Sequence, residues 1–100
     1  IFEFIEQLPN TASGRAVKGQ LARSASSVGA NYRAAQRARS EKEYLAKLGI
    51  AEEEADESCY WLELIAEANW GLREHGQPLL QEANEITAII VFLIKKGKGR

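Results

Sequence analysis

The chain has little of what marks secreted, disulfide-bonded or membrane-spanning proteins. Its 100 residues include one cysteine, Cys59, so no disulfide can form within the chain, which favours a reducing, cytoplasmic location. The longest apolar run, Ile89 to Ile94, is far too short to cross a bilayer, and no signal peptide is recognisable. Methionine is missing from the sequence, which opens in the middle of a helical pattern. We therefore expect the first helix to be truncated.

Acidic residues are missing from residues 10–39, which carry six basic side chains and a net charge of +6. Residues 40–75 carry a net charge of −7, and the two ends carry −2 and +2, so the whole chain has a net charge of −1. The total charge gives no reason to expect a nucleic-acid partner. The separation of charge along the chain predicts either pairing between the two segments or a basic surface.

The apolar residues recur at helical spacing, and strand signals are absent from the sequence. The pattern predicts the end of a first helix over residues 1–8, a second helix over 11–38, a third over 40–74 and a fourth after residue 78. With 45% hydrophobic and 27% charged residues, the composition is that of one globular domain spanning residues 1–100, with a polar basic tail at 95–100. Short connections favour an all-α, antiparallel up-down four-helix bundle.

Residues with capping and helix-breaking preferences mark the helix boundaries. Asn10 or Thr11 is suited to cap the second helix after Pro9. Residues 40–43 have the S-x-x-E form of a capping box and predict the start of the third helix. Gly76 followed by Pro78 predicts the connection between the third and fourth helices.

Two segments resemble a known family: QLARSASSVGANYRAAQRARS at 20–40 and KLGIAEEEADESCYWLELIAEA at 47–68. The chain resembles the four-helix bundle proteins encoded by intervening sequences in bacterial 23S rRNA genes, also called the S23 ribosomal protein family. It is also similar to the accessory protein of diversity-generating retroelements. The matching positions are Gln20-Leu21, Arg23-Ser24, Asn31, Arg37 to Ser40, Glu43, and Glu54 to Leu64.

The resemblance implies a bundle that assembles into a homopentameric ring, with a largely uncharacterised role and a suspected link to RNA or ribonucleoprotein. The retroelement relatives are expected to be strongly basic and to bind nucleic acid. This chain departs from that pattern because its net charge is slightly negative.

The arginines of the second helix have two interpretations. Arg23 lies among apolar residues, so we expect it to be partly buried and to pair with Glu54 or Glu57 of the acidic helix. Residues Arg33, Arg37 and Arg39 share a face near the helix end. For these three, both charge pairing and a nucleic-acid contact that follows the phosphates remain open. In a ring, every subunit would carry this cluster, so several weak contacts with nucleic acid would together bind more tightly through avidity.

The sequence offers no recognisable catalytic, cofactor or metal site. A carboxylate-bridged metal centre in a bundle needs two Glu-x-x-His pairs, and the chain has a single histidine, His75, which we expect in a turn. The acidic run at 52–57 is therefore interpreted as a solvated helix face. Cys59 lies in a helix middle without a nearby base and is expected to be a packed side chain. We expect no enzyme activity, no cofactor and no small-molecule substrate.

The aromatic residues favour self-association. Tyr60 and Trp61 point to different sides of one helix, so one of them is expected to meet another chain or solvent. Because aromatic residues are enriched at interface centres, we interpret Trp61 or Trp70 as a subunit contact, with base stacking as a weaker alternative. Phe92 and Leu93 join this predicted interface because the fourth helix is apolar all round at 89–94.

The sequence thus favours a non-enzymatic oligomeric scaffold or adaptor that contacts RNA or a ribonucleoprotein. The alternative is a protein–protein interaction module that binds no nucleic acid. Neither hypothesis includes a membrane partner.

Overall fold

The computed structural model describes residues 1–99, which form four helices and no strand. The helices are α1 (Phe2–Ile5), α2 (Ala12–Gln36), α3 (Glu41–Glu67) and α4 (Arg73–Lys98). The prediction of an all-α chain with four helices is confirmed. Helix α1 has only four residues, whereas the other three have 25, 27 and 26, so three long helices make up most of the molecule.

The connection from α1 to α2 is fixed by a cap and a close contact. Thr11 Oγ1 accepts a hydrogen bond from the backbone N–H of Gly14 at 3.1 Å, so Thr11 is the N-cap of α2. A Cβ atom at Gly14 would lie 1.9 Å from the carbonyl oxygen of Pro9. Only glycine therefore lets the first turn of α2 pack against the preceding loop.

The predicted capping box at the start of α3 is confirmed. Ser40 Oγ accepts from the N–H of Glu43 at 3.0 Å, and Glu43 Oε2 accepts from the N–H of Arg39 at 3.3 Å. The returning bond reaches Arg39, one residue before the N-cap. Two backbone donors at this helix start are thereby satisfied, and the turn between α2 and α3 is fixed.

The connection between α3 and α4 differs from the prediction. Helix α3 ends at Glu67 and α4 begins at Arg73, so the turn lies at residues 68–72 and His75 is helical. The change of direction is made at Gly71, whose φ of +72° is a conformation that glycine adopts without strain. The predicted tail also differs, because Lys95 to Lys98 belong to α4.

The glycine and proline that suggested a turn have other roles. Gly76 is a buried residue of α4, and a Cβ atom there would lie 3.1 Å from Phe4 Cζ. This glycine permits close packing of α4 against α1. Pro78 lies inside α4, where its missing N–H removes only one helical hydrogen bond near the helix start.

Helix α3 lies between α2 and α4 and packs against both. One core cluster, near the α1 end, contains Phe4, Ile5, Leu8, Val17, Leu21, Leu62, Ile65 and Leu72. A second cluster, at the opposite end, contains Ala35, Leu48, Ala51, Ala55 and Ile90. Between them Ser58 Oγ lies 2.9 Å from Ser24 Oγ, and both serines are buried.

The described residues form an elongated molecule of 46 × 19 × 17 Å. None of the helices within residues 1–99 combines the length and the apolar character needed to cross a membrane.

A pair of glycine substitutions tests the backbone of the turn at 68–72. Gly71→Ala places a Cβ on a left-handed residue, so we expect the free energy of unfolding to fall by about 1–2 kcal/mol. Gly19→Ala lies within α2, where no atom comes within 4 Å of the added Cβ, so it is expected to stabilise the protein by about 0.5–1 kcal/mol. Thermal unfolding followed by circular dichroism measures both. A change of the same sign in the two variants would contradict the assigned turn.

Candidate nucleic-acid interface

Three helices bring basic side chains to one end of the molecule. Ala35 of α2, Leu48 of α3 and Ile90 of α4 belong to one buried cluster, against which Tyr44 and Leu93 pack. The end of α2, the start of α3 and the end of α4 therefore lie together. We call residues 33–47 and 95–99 the basic end. Its eight basic side chains exceed its two acidic ones, and the basic residues are Arg33, Arg37, Arg39, Lys42, Lys47, Lys95, Lys96 and Lys98.

The three arginines proposed from the sequence are all exposed at the basic end. Arg33 lies in the last turn of α2, Arg37 is its C-cap, and Arg39 lies in the turn before Ser40. Within residues 1–99 none of the three makes an ion pair. Among the residues that the structure describes, no carboxylate neutralises their charge, which leaves it accessible to an anionic ligand.

Helix stability explains some of these charges and leaves others unexplained. Arg33, Lys95, Lys96 and Lys98 lie in last helical turns, where positive charge stabilises the helix dipole. Lys42 occupies the first turn of α3, where the dipole disfavours positive charge. The helix dipole therefore does not explain the charge of Lys42.

The sequence pattern did not indicate that the lysines of α4 belong to this surface. Read along the chain, Lys95, Lys96 and Lys98 form a tail far from the arginine cluster. The antiparallel arrangement brings them to the arginines, since α4 ends where α2 ends. A Cβ atom at Gly97 would lie 2.8 Å from Leu45 Cδ2, which shows how closely the end of α4 packs on the start of α3. No local pattern at residues 95–98 indicates this position, because it depends on which helix ends meet.

Arg23 lies apart from the basic end and bridges two helices. Its Nη1 lies 2.7 Å from Glu54 Oε2, and its Nη2 is paired with Glu57 Oε2. Its Nε also donates to Gln20 Oε1 at 3.3 Å. The structure thus brings together Arg23, Glu54 and Glu57, as the sequence favoured. The expected partial burial is weaker than predicted, because 49% of the Arg23 side chain remains exposed.

The four residues predicted for a subunit interface have different surroundings. Trp61 and Trp70 are half-buried against the core cluster near α1, and Leu93 is half-buried against the other cluster. Phe92 is 62% exposed. Tyr60, which makes an edge-to-face contact with Trp61 at 4.9 Å between ring centres, is 54% exposed. Participation of these residues in an interface stays a prediction.

The described residues show no arrangement suited to a metal, and Cys59 is poorly placed as a nucleophile. No group of three or more His, Cys, Asp and Glu residues within 1–99 is arranged to hold a metal ion. Burial raises the pKa of the Cys59 thiol, and the nearby carboxylates of Asp56 and Glu63 raise it further. The thiol therefore stays protonated at neutral pH, while the reactive form is the thiolate.

The fold and this surface define an all-α helical protein with a basic end formed by three antiparallel helices. The sequence profile of the 23S rRNA-intervening sequence proteins matches residues 1–91, and the chain belongs to that family. It is similar to a protein with unknown function from the S23 ribosomal protein family of Bacteroides thetaiotaomicron VPI-5482, whose structure is solved. The two are 37% identical with a TM-score of 0.75, over 79% of this chain and 73% of the other. No curated protein matches the chain significantly.

The Arg23 bridge has a modest expected effect on stability. Arg23→Ala removes the positive charge that two carboxylates of α3 share, so we expect unfolding to become easier by about 0.5–1 kcal/mol, a magnitude limited by solvent exposure. Lys18→Ala is the matched control, since it removes a positive charge from the same helix at a residue with no ion pair within 1–99. Thermal unfolding at low and high salt measures the difference. Equal melting temperatures for the two variants would show that the bridge contributes nothing.

Proposed function

We propose that this protein is a non-enzymatic helical scaffold that contacts RNA or a ribonucleoprotein through its basic end. The observation that carries the proposal is the set of exposed arginines, Arg33, Arg37 and Arg39, which make no ion pair within residues 1–99. Phosphate groups are the ligands that such a surface attracts, because each neutralised phosphate releases bound counterions. A cytoplasmic location is part of the proposal, as an RNA partner requires.

The acidic residues in the second part of α3 support an RNA contact that is restricted to the basic end. Residues 48–67 contain seven acidic side chains and no basic one. This surface repels phosphate, so a nucleic acid would be confined to the end of the molecule. A contact of that size is weak for a single copy, and several copies would be needed for stable binding.

We further propose that the protein self-associates, and the family resemblance favours a homopentamer. Exposed apolar side chains support this part of the proposal: Ile89 is 56% exposed and Phe92 is 62% exposed on α4. An apolar face of this kind is unusual on a monomer in water. In a ring, the basic ends of all subunits would act together on one RNA.

A second candidate function is protein interaction without nucleic acid. The same exposed apolar residues of α4 favour it, because they would also suit a protein partner. Absence of salt-dependent RNA binding would favour this alternative over the first.

Charge reversal at the basic end tests the RNA contact. Arg37→Glu with Arg39→Glu is expected to weaken binding of a 23S rRNA fragment at least about tenfold and to reduce the dependence of affinity on salt, because phosphate contacts are lost. The control is Arg15→Glu with Lys18→Glu, which makes the same charge change near the start of α2. Fluorescence anisotropy across a salt series, with an unrelated RNA in parallel, measures both. An equal loss of RNA affinity in the two double variants would show that Arg37 and Arg39 are not part of the binding site.

Phe92→Glu tests self-association without entering the core. We expect the mass of the assembly to fall while helical content is unchanged, because an exposed apolar residue becomes charged. Leu93→Glu is less informative, since Leu93 packs on the core and its loss would unfold the chain. Ala16→Glu, at an exposed position of α2 outside this face, is the control. Sedimentation velocity gives the masses, and an unchanged mass for Phe92→Glu would exclude this residue from the interface.

A further inference from the structure

A groove of about 550 Å³ lies between α3 and α4, and at one end it reaches Lys98 of the basic end. Its apolar surface comes from Leu45 of α3 and from Val91 and Ile94 of α4, all half-buried. We call it the α3–α4 groove. It spans α3 from Leu45 to Asp56, a distance of about 16 Å at 1.5 Å per residue. That length accommodates three turns of a docked helix.

A glycine lies in the middle of this groove without any reason inside the chain. Gly49 is in the interior of α3, where glycine costs about 0.5–1 kcal/mol relative to alanine. A Cβ atom at this position would meet no atom within 4 Å. Close packing within the chain explains Gly14 and Gly76, but it does not explain Gly49. The missing side chain leaves space for the backbone of another helix to approach.

The rim of the groove is negatively charged. Glu52, Glu53 and Asp56 line it on α3, and within residues 1–99 none of them makes an ion pair. Lys98 lies at the opposite end of the groove. An occupant with basic side chains beside an apolar stripe would therefore match the groove in both charge and polarity.

We propose that the α3–α4 groove docks a short, basic amphipathic helix of a partner protein. The helix N-terminus lies at the Asp56 end and its C-terminus at Lys98, because the helix dipole then meets opposite charges at both ends. The docked helix runs parallel to α4. Its apolar side chains contact Leu45, Val91 and Ile94, and its Lys or Arg residues contact the acidic rim.

The charges disfavour RNA as the occupant, and they disfavour one exposed face of a second copy. RNA phosphates would be repelled by the three carboxylates of the rim. A second copy that presents Ile86 and Ile89 of α4 would also present Glu82 and Glu85 of that helix. Those carboxylates would face the acidic rim of the groove. A foreign, basic helix avoids both conflicts.

The test uses the full chain and a synthetic amphipathic peptide of about 14 residues. The peptide carries Leu at helical spacing and Lys on both flanks, and a second peptide replaces every Lys by Glu. We expect saturable binding of the basic peptide and no binding of the acidic one. Gly49→Leu should weaken binding at least about tenfold while the melting temperature stays equal or rises, because the site is open and Leu favours helix.

Removal of rim charge provides the second variant. Glu53→Gln with Asp56→Asn is expected to weaken binding severalfold, whereas Glu63→Gln with Glu67→Gln removes two carboxylates of the same helix outside the groove and should have no effect. Fluorescence anisotropy of labelled peptide gives the affinities. Absence of saturable binding, equal affinity for Gly49→Leu, or equal loss in the two amide variants would overturn the proposal.

Sedimentation velocity on Gly49→Leu separates a partner from a second copy. An assembly of unchanged mass is expected, since the groove is assigned to a foreign helix. A smaller assembly would mean that another copy occupies the groove and would overturn the assignment. Neither result depends on RNA binding, so the outcome is distinguishable from failure of the RNA contact.

Discussion

The packing of α2 and α4 on one face of α3 is the contact on which the rest of the structure depends. Small side chains, Ala51, Ala55 and Ser58, occupy the middle of that face and are buried. They let two helices approach closely, and the Ser24–Ser58 hydrogen bond fixes the register of α2 on α3. Because the helices are antiparallel, this packing also decides which charges meet at each end. The position of the basic end therefore follows from the packing of the three long helices.

Charge separation gives the molecule two different surfaces. Arg23 joins α2 to the acidic part of α3, so part of the positive charge of α2 serves the fold. Arg33, Arg37 and Arg39 remain exposed at the opposite end from α1. The α3–α4 groove is lined by Glu52, Glu53 and Asp56, whereas the basic end carries exposed arginines. One small chain can thus present an anion-attracting surface and a cation-attracting groove, because apart from Lys98 the charged residues of the groove lie outside the basic end.

The helix caps were predicted correctly from the sequence, because each cap depends on a few adjacent residues. Thr11 and the Ser40–Glu43 capping box start α2 and α3 as expected. The turn near Gly76 was wrongly predicted because glycine and proline favour turns locally but also fit inside a helix. Gly76 packs closely against the ring of Phe4, 72 residues away in the chain. No local pattern carries that information, since the contact exists only after folding.

The helical class, the four helices, the family and the arginines of the proposed interface could all be predicted from the amino-acid sequence. Helical periodicity, capping residues and charge are properties of neighbouring residues, so they can be read before folding. The packing of the helices was needed to show that Lys95, Lys96 and Lys98 join those arginines and that Arg23 pairs with two carboxylates. It also showed that Gly49 lines the α3–α4 groove, where no atom lies within 4 Å of an added Cβ atom. These features depend on which helices are neighbours, and that is set by packing of buried side chains distant in sequence.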